Sequence, residues 1–319
     1  MKTSAFLLLP ALLIPIATFG IYAYADIESE PPAPTTVSTI EQEDNATTNA
    51  KWNDYWYNGK AELTSYKLNQ ARYGEMHEGT AMLMFVTEDF STTKHTKANQ
   101  GEKSKLPVLK VNFEKKFVTG IYPYSMIFTA ASPTNVSKHP NPIKIATSSQ
   151  EWCGHTYTQF NLLGNQYEVT EHSYFPGEGD QAFKLPAGLC EDAIWTTLRI
   201  EPNKLPVGNF EMIPGTFYLR LRHQEIKARK ARATLSGPNQ EGVRQYKLNY
   251  EDGSRELVIN FTDAFPYSIE SWTETYEEGF GPNAKPFTTT ATKIVTKKLA
   301  YWGLNRNQDR ALRKEMGLE

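Results

Sequence analysis

Tyr246-Lys247-Leu248-Asn249-Tyr250-Glu251-Asp252-Gly253-Ser254-Arg255-Glu256-Leu257-Val258-Ile259-Asn260-Phe261 carries two runs in which apolar residues alternate with polar ones, on either side of Asp252-Gly253. Alternation with a period of two puts Tyr246, Leu248 and Tyr250 on one face of a strand, and Leu257, Ile259 and Phe261 on one face of the next. Asp-Gly is a dipeptide that tight hairpin turns favour. The segment is therefore an antiparallel hairpin with one buried and one wet face, and it fixes the expectation of a β protein.

The same signals recur on both sides. Thr80 to Val86 is apolar on both faces, as a covered central strand should be. Leu109, Val111 and Phe113 alternate with Lys110, Asn112 and Glu114. Ile121 to Phe128, Ile143 to Thr147 and Tyr167 to Tyr174 continue the pattern, with breaks at Pro133, Pro140, Pro142 and Gly177 to Gly179. Trp195 to Ile200 and Phe217 to Ile226 read as further strands, whereas Ala61 to Arg72 fits helix or strand equally. Only Asn307 to Met316 reads as helix, with Gly317 as its stop. Short strands at close intervals with little helix between them mean antiparallel pairing, not βαβ units. The expectation is one mainly β domain over residues 52–319, a large antiparallel curved sheet or half-barrel with a short C-terminal helix; the alternative is a β-sandwich.

The chain has 319 residues, 39% hydrophobic and 22% charged, with a net charge of −2. Such a balance gives no electrostatic bias toward nucleic acid. Aromatics reach 12%, with 17 Tyr and 16 Phe, which favours strands. Residues 1–25 have the form of a signal peptide: Lys2, an apolar run from Ala5 to Ala17, and Ala23-Tyr24-Ala25 as cleavage site. Residues 26–51 are rich in Glu, Pro, Thr, Ser and Asn and read as a tether. An exported protein of the periplasm or cell envelope follows, with membrane proximity through the N-terminal segment. The domain opens on Trp52, Tyr55 and Trp56, of which Trp52 and Trp56 are expected to pack against it.

The densest chemistry lies in Thr147 to Tyr157. Read as a strand, it aligns Glu151, Cys153, His155 and Tyr157 on one face. Thiol, imidazole and carboxylate are the parts of a Cys/His nucleophile. Same-face neighbours lie roughly 6.5 Å apart where a working pair needs about 3 Å, so a catalytic role requires a bulge at Gly154. Trp152-Cys153-Gly154-His155 resembles the start of a thioredoxin redox centre, but Thr156 replaces its second cysteine. Cys153 and Cys190 are the only cysteines, and an even pair in an exported protein fits one disulfide. His155 and His172 with Glu151 or Glu171 have ligand chemistry but no metal-site spacing. Arg220, Arg222, Lys227, Arg229, Lys230 and Arg232 form the one strong charge run, a candidate stripe for phosphate, lipid headgroups or an envelope polymer, with Arg220, Arg222, Arg229 and Arg232 as anion ligands. No P-loop, GxGxxG or GxSxG motif is present, so no cofactor is expected.

Trp52-Asn53-Asp54-Tyr55-Trp56, Ala71-Arg72-Tyr73-Gly74-Glu75, Thr119-Gly120-Ile121-Tyr122-Pro123-Tyr124-Ser125 and Ser148 to His155 resemble a family of uncharacterised exported bacterial proteins, some of which carry a septum formation inhibitor Maf label. The Ser-Pro-Arg-Arg motif of Maf nucleotide pyrophosphatases is absent here. The strand-rich layout is similar to the half-barrels of lipoprotein carriers, in architecture alone. The expected role is non-enzymatic binding of an apolar or amphipathic ligand, such as lipid or envelope polymer, on a concave sheet lined by Trp152, Tyr157 and Trp195. The alternatives are a thiol enzyme built on Cys153 and His155, and an envelope scaffold.

Overall fold

The structure is a computed structural model that describes residues 50–279 and 281–319. The expected signal peptide and residues 26–49 of the expected tether lie outside the described residues. Helix α1 (Ala50–Trp56) takes the last two tether positions and opens the folded part. A meander follows: β1 (Ala61–Arg72), β2 (Glu75–Ser91), β3 (Lys105–Thr119), β4 (Tyr122–Pro133), β5 (Lys144–Glu151), β6 (Gly154–Leu163), β7 (Gln166–Ser173) and β8 (Gln181–Pro186). After the two-residue β9 (Leu189–Cys190) come α2 (Ile194–Ile200), β10 (Gly208–Ile213) and α3 (Thr216–Arg222). The chain ends through β11 (Arg229–Leu235), β12 (Val243–Tyr250), β13 (Arg255–Thr262), β14 (Ile269–Glu278), β15 (Lys285–Leu299) and α4 (Ala311–Glu315).

All fifteen strands belong to one sheet, in the order β8-β7-β6-β5-β4-β3-β2-β1-β15-β14-β13-β12-β11-β10-β9. The sandwich alternative is thereby set aside. Strands pair antiparallel throughout except β9 with β10. The expected Tyr246–Phe261 hairpin forms, with Tyr246 opposite Ile259 and Leu248 opposite Leu257. Ala61–Arg72, open by periodicity, is the central strand, paired with β2 on one side and β15 on the other.

The sheet is strongly curved. Phe113 on β3 and Trp272 on β14 are four strands apart, roughly 19 Å along a flat sheet, yet their ring centroids are 5.2 Å apart. The edge strands β8 and β9 are joined by Ala187-Gly188 alone, so the two edges meet at that link without forming a ladder. The result is a rolled sheet with an open seam.

Alternation assigns the faces. Leu109, Val111, Phe113 and Phe117 point inward from β3, while Lys110, Asn112, Glu114 and Lys116 point outward. Thr288, Thr290 and Thr292 give β15 an exposed polar face. Apolar inside and polar outside is the reverse of a lipid-facing barrel.

The interior is filled by helices, and here the sequence reading needs correction. Trp195–Ile200 and the start of Phe217–Ile226 are α2 and α3. Trp195 is 3% exposed and packs edge-on against Phe113 and Trp272; Phe217 meets Phe113 and Phe128. Trp52 and Trp56 of α1 are buried as expected. Burying each such side chain contributes roughly 1.5–3 kcal/mol, so the concave face serves as the protein's own core. Outside the roll, Met316 and Leu318 of the C-terminal segment pack on Ala61, Leu63 and Met82.

Charges bridge the interior as well. Lys115 of β3 bonds Glu274 of β14, and Arg255 of β13 reaches both Glu274 at 3.1 Å and Glu191 at 2.6 Å. Burial alone would raise the Glu274 carboxyl, but Lys115 and Arg255 hold it at about 2. Asp192 accepts from the Thr216 N–H and hydroxyl at the start of α3, and Thr216 accepts from Thr147 of β5 at 2.6 Å. These bonds tie both arms of the sheet to the enclosed helices.

Candidate functional site

One rim of the roll gathers the turns that follow β1, β3, β5 and β7, because successive antiparallel strands return to the same end. Three of the four family-like phrases sit on these turns. Arg72, at the end of β1, is 3% exposed and donates to the Leu221 carbonyl at 2.6 Å, at the C-terminal turn of α3 where a cation suits the helix dipole. Its guanidinium lies 4.3 Å from the centre of the Tyr73 ring. The Tyr73 and Tyr124 hydroxyls are 2.6 Å apart, and Tyr122 donates to Tyr73 at 3.3 Å. The bond to Tyr73, with burial, pushes the Tyr122 hydroxyl up to about 12. Trp152 stacks on Tyr122 with 6.1 Å between centroids.

Thr147 to Tyr157 is two strands, not one. Trp152-Cys153 forms the hairpin turn, and Gln150 faces His155 across it. Glu151, Cys153 and His155 therefore do not share a strand face: Glu151 ends β5, Cys153 is at the tip, and His155 lies exposed on β6. Glu151 accepts the Cys153 N–H at 2.6 Å. A hydrogen bond to Glu151, together with slight burial and the Glu151 charge, raises the Cys153 thiol. That opposes the thiolate a nucleophile requires.

The disulfide expectation is corrected: Cys153 and Cys190 are both free thiols. Cys153 is on an exposed rim turn, whereas Cys190 is buried on β9 at the far edge of the sheet, and burial pushes its thiol up to about 12. The three aromatics expected to line a ligand face are not brought together. Trp152 is 67% exposed at the rim, Tyr157 is on the outer side of β6 bonded to Gln159, and Trp195 is in the core. The histidines and acids with ligand chemistry are likewise dispersed. His172 pairs with Asp180 at 3.1 Å, Glu171 points inward, and no group of three such residues converges among the described residues.

The arginine run divides. Arg222 donates to the Gly279 carbonyl and lies 3.9 Å from Glu278; Arg229 lies 3.6 Å from Asp252 and bonds Gln224; Arg232 is exposed on the outer face of β11. A helix carries the first two arginines and a strand the others, so no single stripe forms. Of the four, Arg220 lines a cavity.

That cavity, of about 550 Å³, lies where β6, β7 and β8 face α3 and residues 223–227. Phe183, Leu185, Leu219 and Ile226 supply an apolar wall; Thr158, Glu171, Glu178, Gln181, Arg220 and His223 supply polar groups. Its size and mixed lining are those of small-molecule sites. The loop after β7 closes one side. Phe175 lies under the Arg220 guanidinium at 4.1 Å, Glu178 bonds His223, and Ser173 donates to Glu178 at 2.7 Å. Burial alone would raise Glu178, but the His223 and Ser173 bonds hold it low. Burial, then the Glu178 charge, raises Glu171. The sequence reading missed Glu178, Gln181 and His223; the available signal was helical spacing, which places Arg220 and His223 one turn apart.

Fold and cavity together define the class: a rolled single-sheet β protein whose interior is occupied by its own helices, with a cleft at the seam. No family model and no curated protein matches the chain. Among solved structures, a porin-like protein from Bacteroides uniformis aligns with 74% of this chain and 95% of its own at 9% identity, with a TM-score of 0.25.

Proposed function

We propose that this is an exported envelope protein that binds an amphipathic molecule, without catalysis, in the cleft between β6–β8 and α3. The supporting observation is the cleft's two-sided lining, with Phe183, Leu185, Leu219 and Ile226 against Glu171, Gln181, Arg220 and His223. An apolar chain would lie on the first set and a polar head would meet the second. The signal-peptide pattern of residues 1–25 supports export, and lipid or an envelope polymer is the matching ligand source. The raised Cys153 thiol and outward His155 give the thiol-enzyme reading no comparable support.

Titration of dodecyl maltoside below its micelle concentration into the purified mature protein tests the reading calorimetrically. Saturable one-site binding is expected, weakened at least tenfold in a Phe183→Gln, Leu185→Gln double variant that keeps its melting temperature. Absence of saturable binding, or equal binding by the variant, overturns it.

A further inference from the structure

We infer that the cleft selects an anionic head, an oxyanion carried on an apolar tail, and that Arg220 is the group that recognises it; this rests on the amphiphile-binding reading above. The Arg220 side chain is only 9% exposed, yet it lines the cleft. Its Nε is buried without a hydrogen-bond partner. Its nearest carboxylate, Glu178, is 4.0 Å away and is already engaged by His223 and Ser173. Nη1 lies 3.3 and 3.5 Å from the two His223 ring nitrogens, and Nδ1, which meets the Glu178 carboxylate, has no lone pair left to accept from it. A guanidinium has five donors in a planar fork, and a buried donor left unmet costs about 1–3 kcal/mol. An oxyanion entering the cleft would accept from the terminal nitrogens of this fork, in the bidentate geometry the side chain prefers.

The surroundings agree with that assignment. Phe175 stacks on one face of the guanidinium at 4.1 Å, a contact that holds the side chain in place. Arg72, itself satisfied by the Leu221 carbonyl and Tyr124, adds positive potential behind it against the charges of Glu178 and Glu151. The opposing charges in the cleft are Glu178, kept ionised by its His223 and Ser173 bonds, and Glu171, whose carboxyl is raised by burial and by Glu178 and so yields its charge more readily than an ordinary glutamate. Lys227 at the mouth is paired with Glu225 at 2.5 Å and adds no net charge. The apolar wall from Phe183 to Ile226 continues from this corner, which is why the anion is expected to carry a tail.

The test compares four probes on the mature protein: dodecyl phosphate, dodecanoate, dodecyl maltoside and inorganic phosphate. Dodecyl phosphate and dodecanoate are expected to bind at least tenfold more tightly than dodecyl maltoside, and inorganic phosphate at least a hundredfold more weakly than dodecyl phosphate. A stronger dodecyl phosphate than dodecanoate assigns the head to a phosphate ester; the reverse order assigns it to a fatty acid. Arg220→Met should erase the anionic preference, bringing the affinities for dodecyl phosphate and dodecanoate down to that for dodecyl maltoside measured on the same variant, and Arg220→Lys should restore part of it. Equal affinity for the charged and neutral amphiphiles overturns the inference while leaving the amphiphile cleft standing. Failure of every amphiphile to bind removes the underlying reading, and inorganic phosphate binding as tightly as dodecyl phosphate overturns the tail requirement.

Discussion

The buried pair Glu62–Arg199 offers the sharpest test of how α1, α2 and β1 are held together. Arg199 donates from both terminal nitrogens to Glu62 at 2.5 and 2.7 Å, and from Nε to the Pro266 carbonyl at 2.9 Å. Both side chains are 1% exposed, and the guanidinium lies between the Trp56 and Phe85 rings. Tyr55 adds a hydrogen bond to Glu62. Glu62→Met strands a cation that cannot shed its proton, leaving it the Pro266 carbonyl and the Tyr55 hydroxyl, and should cost about 3–5 kcal/mol. Arg199→Met leaves a carboxyl that keeps Tyr55 and can be protonated, so about 2–3 kcal/mol is expected. The double variant carries neither charge into the core and should fall within about 1 kcal/mol of the parent. Urea unfolding at pH 7, followed by tryptophan fluorescence, gives all four corners of the cycle, and the expected coupling is at least about 4 kcal/mol. If the double variant loses the sum of the two single losses, or if Glu62→Met costs under about 1 kcal/mol, the clamp is not the packed ion pair described.

Two further outcomes follow from the thiols and from Asp192. Ellman's reagent should titrate one thiol in native protein and two in denaturant; iodoacetamide should label Cys153 more slowly than glutathione at pH 7.5, and faster in Glu151→Gln, with unchanged labelling arguing against the carboxylate's hold on the thiol. Burial raises Asp192 from 3.8 to about 7, so its contribution to stability is complete below pH 3.8 and is lost as pH rises toward 7. The melting temperature of the parent should therefore decline from pH 4 to 7 relative to Asp192→Asn, by up to about 4 kcal/mol in stability, and parallel profiles for the two proteins would refute it.

The β character and antiparallel pairing were legible because they are local. Tyr246 to Phe261 states its strand faces and its turn in sixteen consecutive residues, and Leu109 to Glu114 does so in six. What failed was the distinction between short strand and short enclosed helix. Ile194–Ile200 is buried on nearly every side, so it shows no wet face and hence no period. The acidic Glu191-Asp192 before it, and Arg220 and Arg222 at the end of α3, were the helix-end signals that its β-rich context obscured. The rim was found as separate phrases. Arg72, Tyr122 and Trp152 are far apart in sequence and meet only because the meander returns to one end. The cleft was not legible, since Glu178, Arg220 and Phe183 come from elements whose packing is set by the roll.

The pairing of β1 with β15 joins the first strand of the sheet to the last, with Ala61 opposite Leu299. Hairpins such as β12–β13 assemble from neighbours, but this central ladder cannot form until almost the whole chain has emerged. During synthesis one side of β1 is an unpaired strand edge, a template for pairing with other chains. Joining positions so distant also makes the closing step slow. Refolding of this protein is therefore expected to be slow and to compete with aggregation through the open edge of β1 as concentration rises.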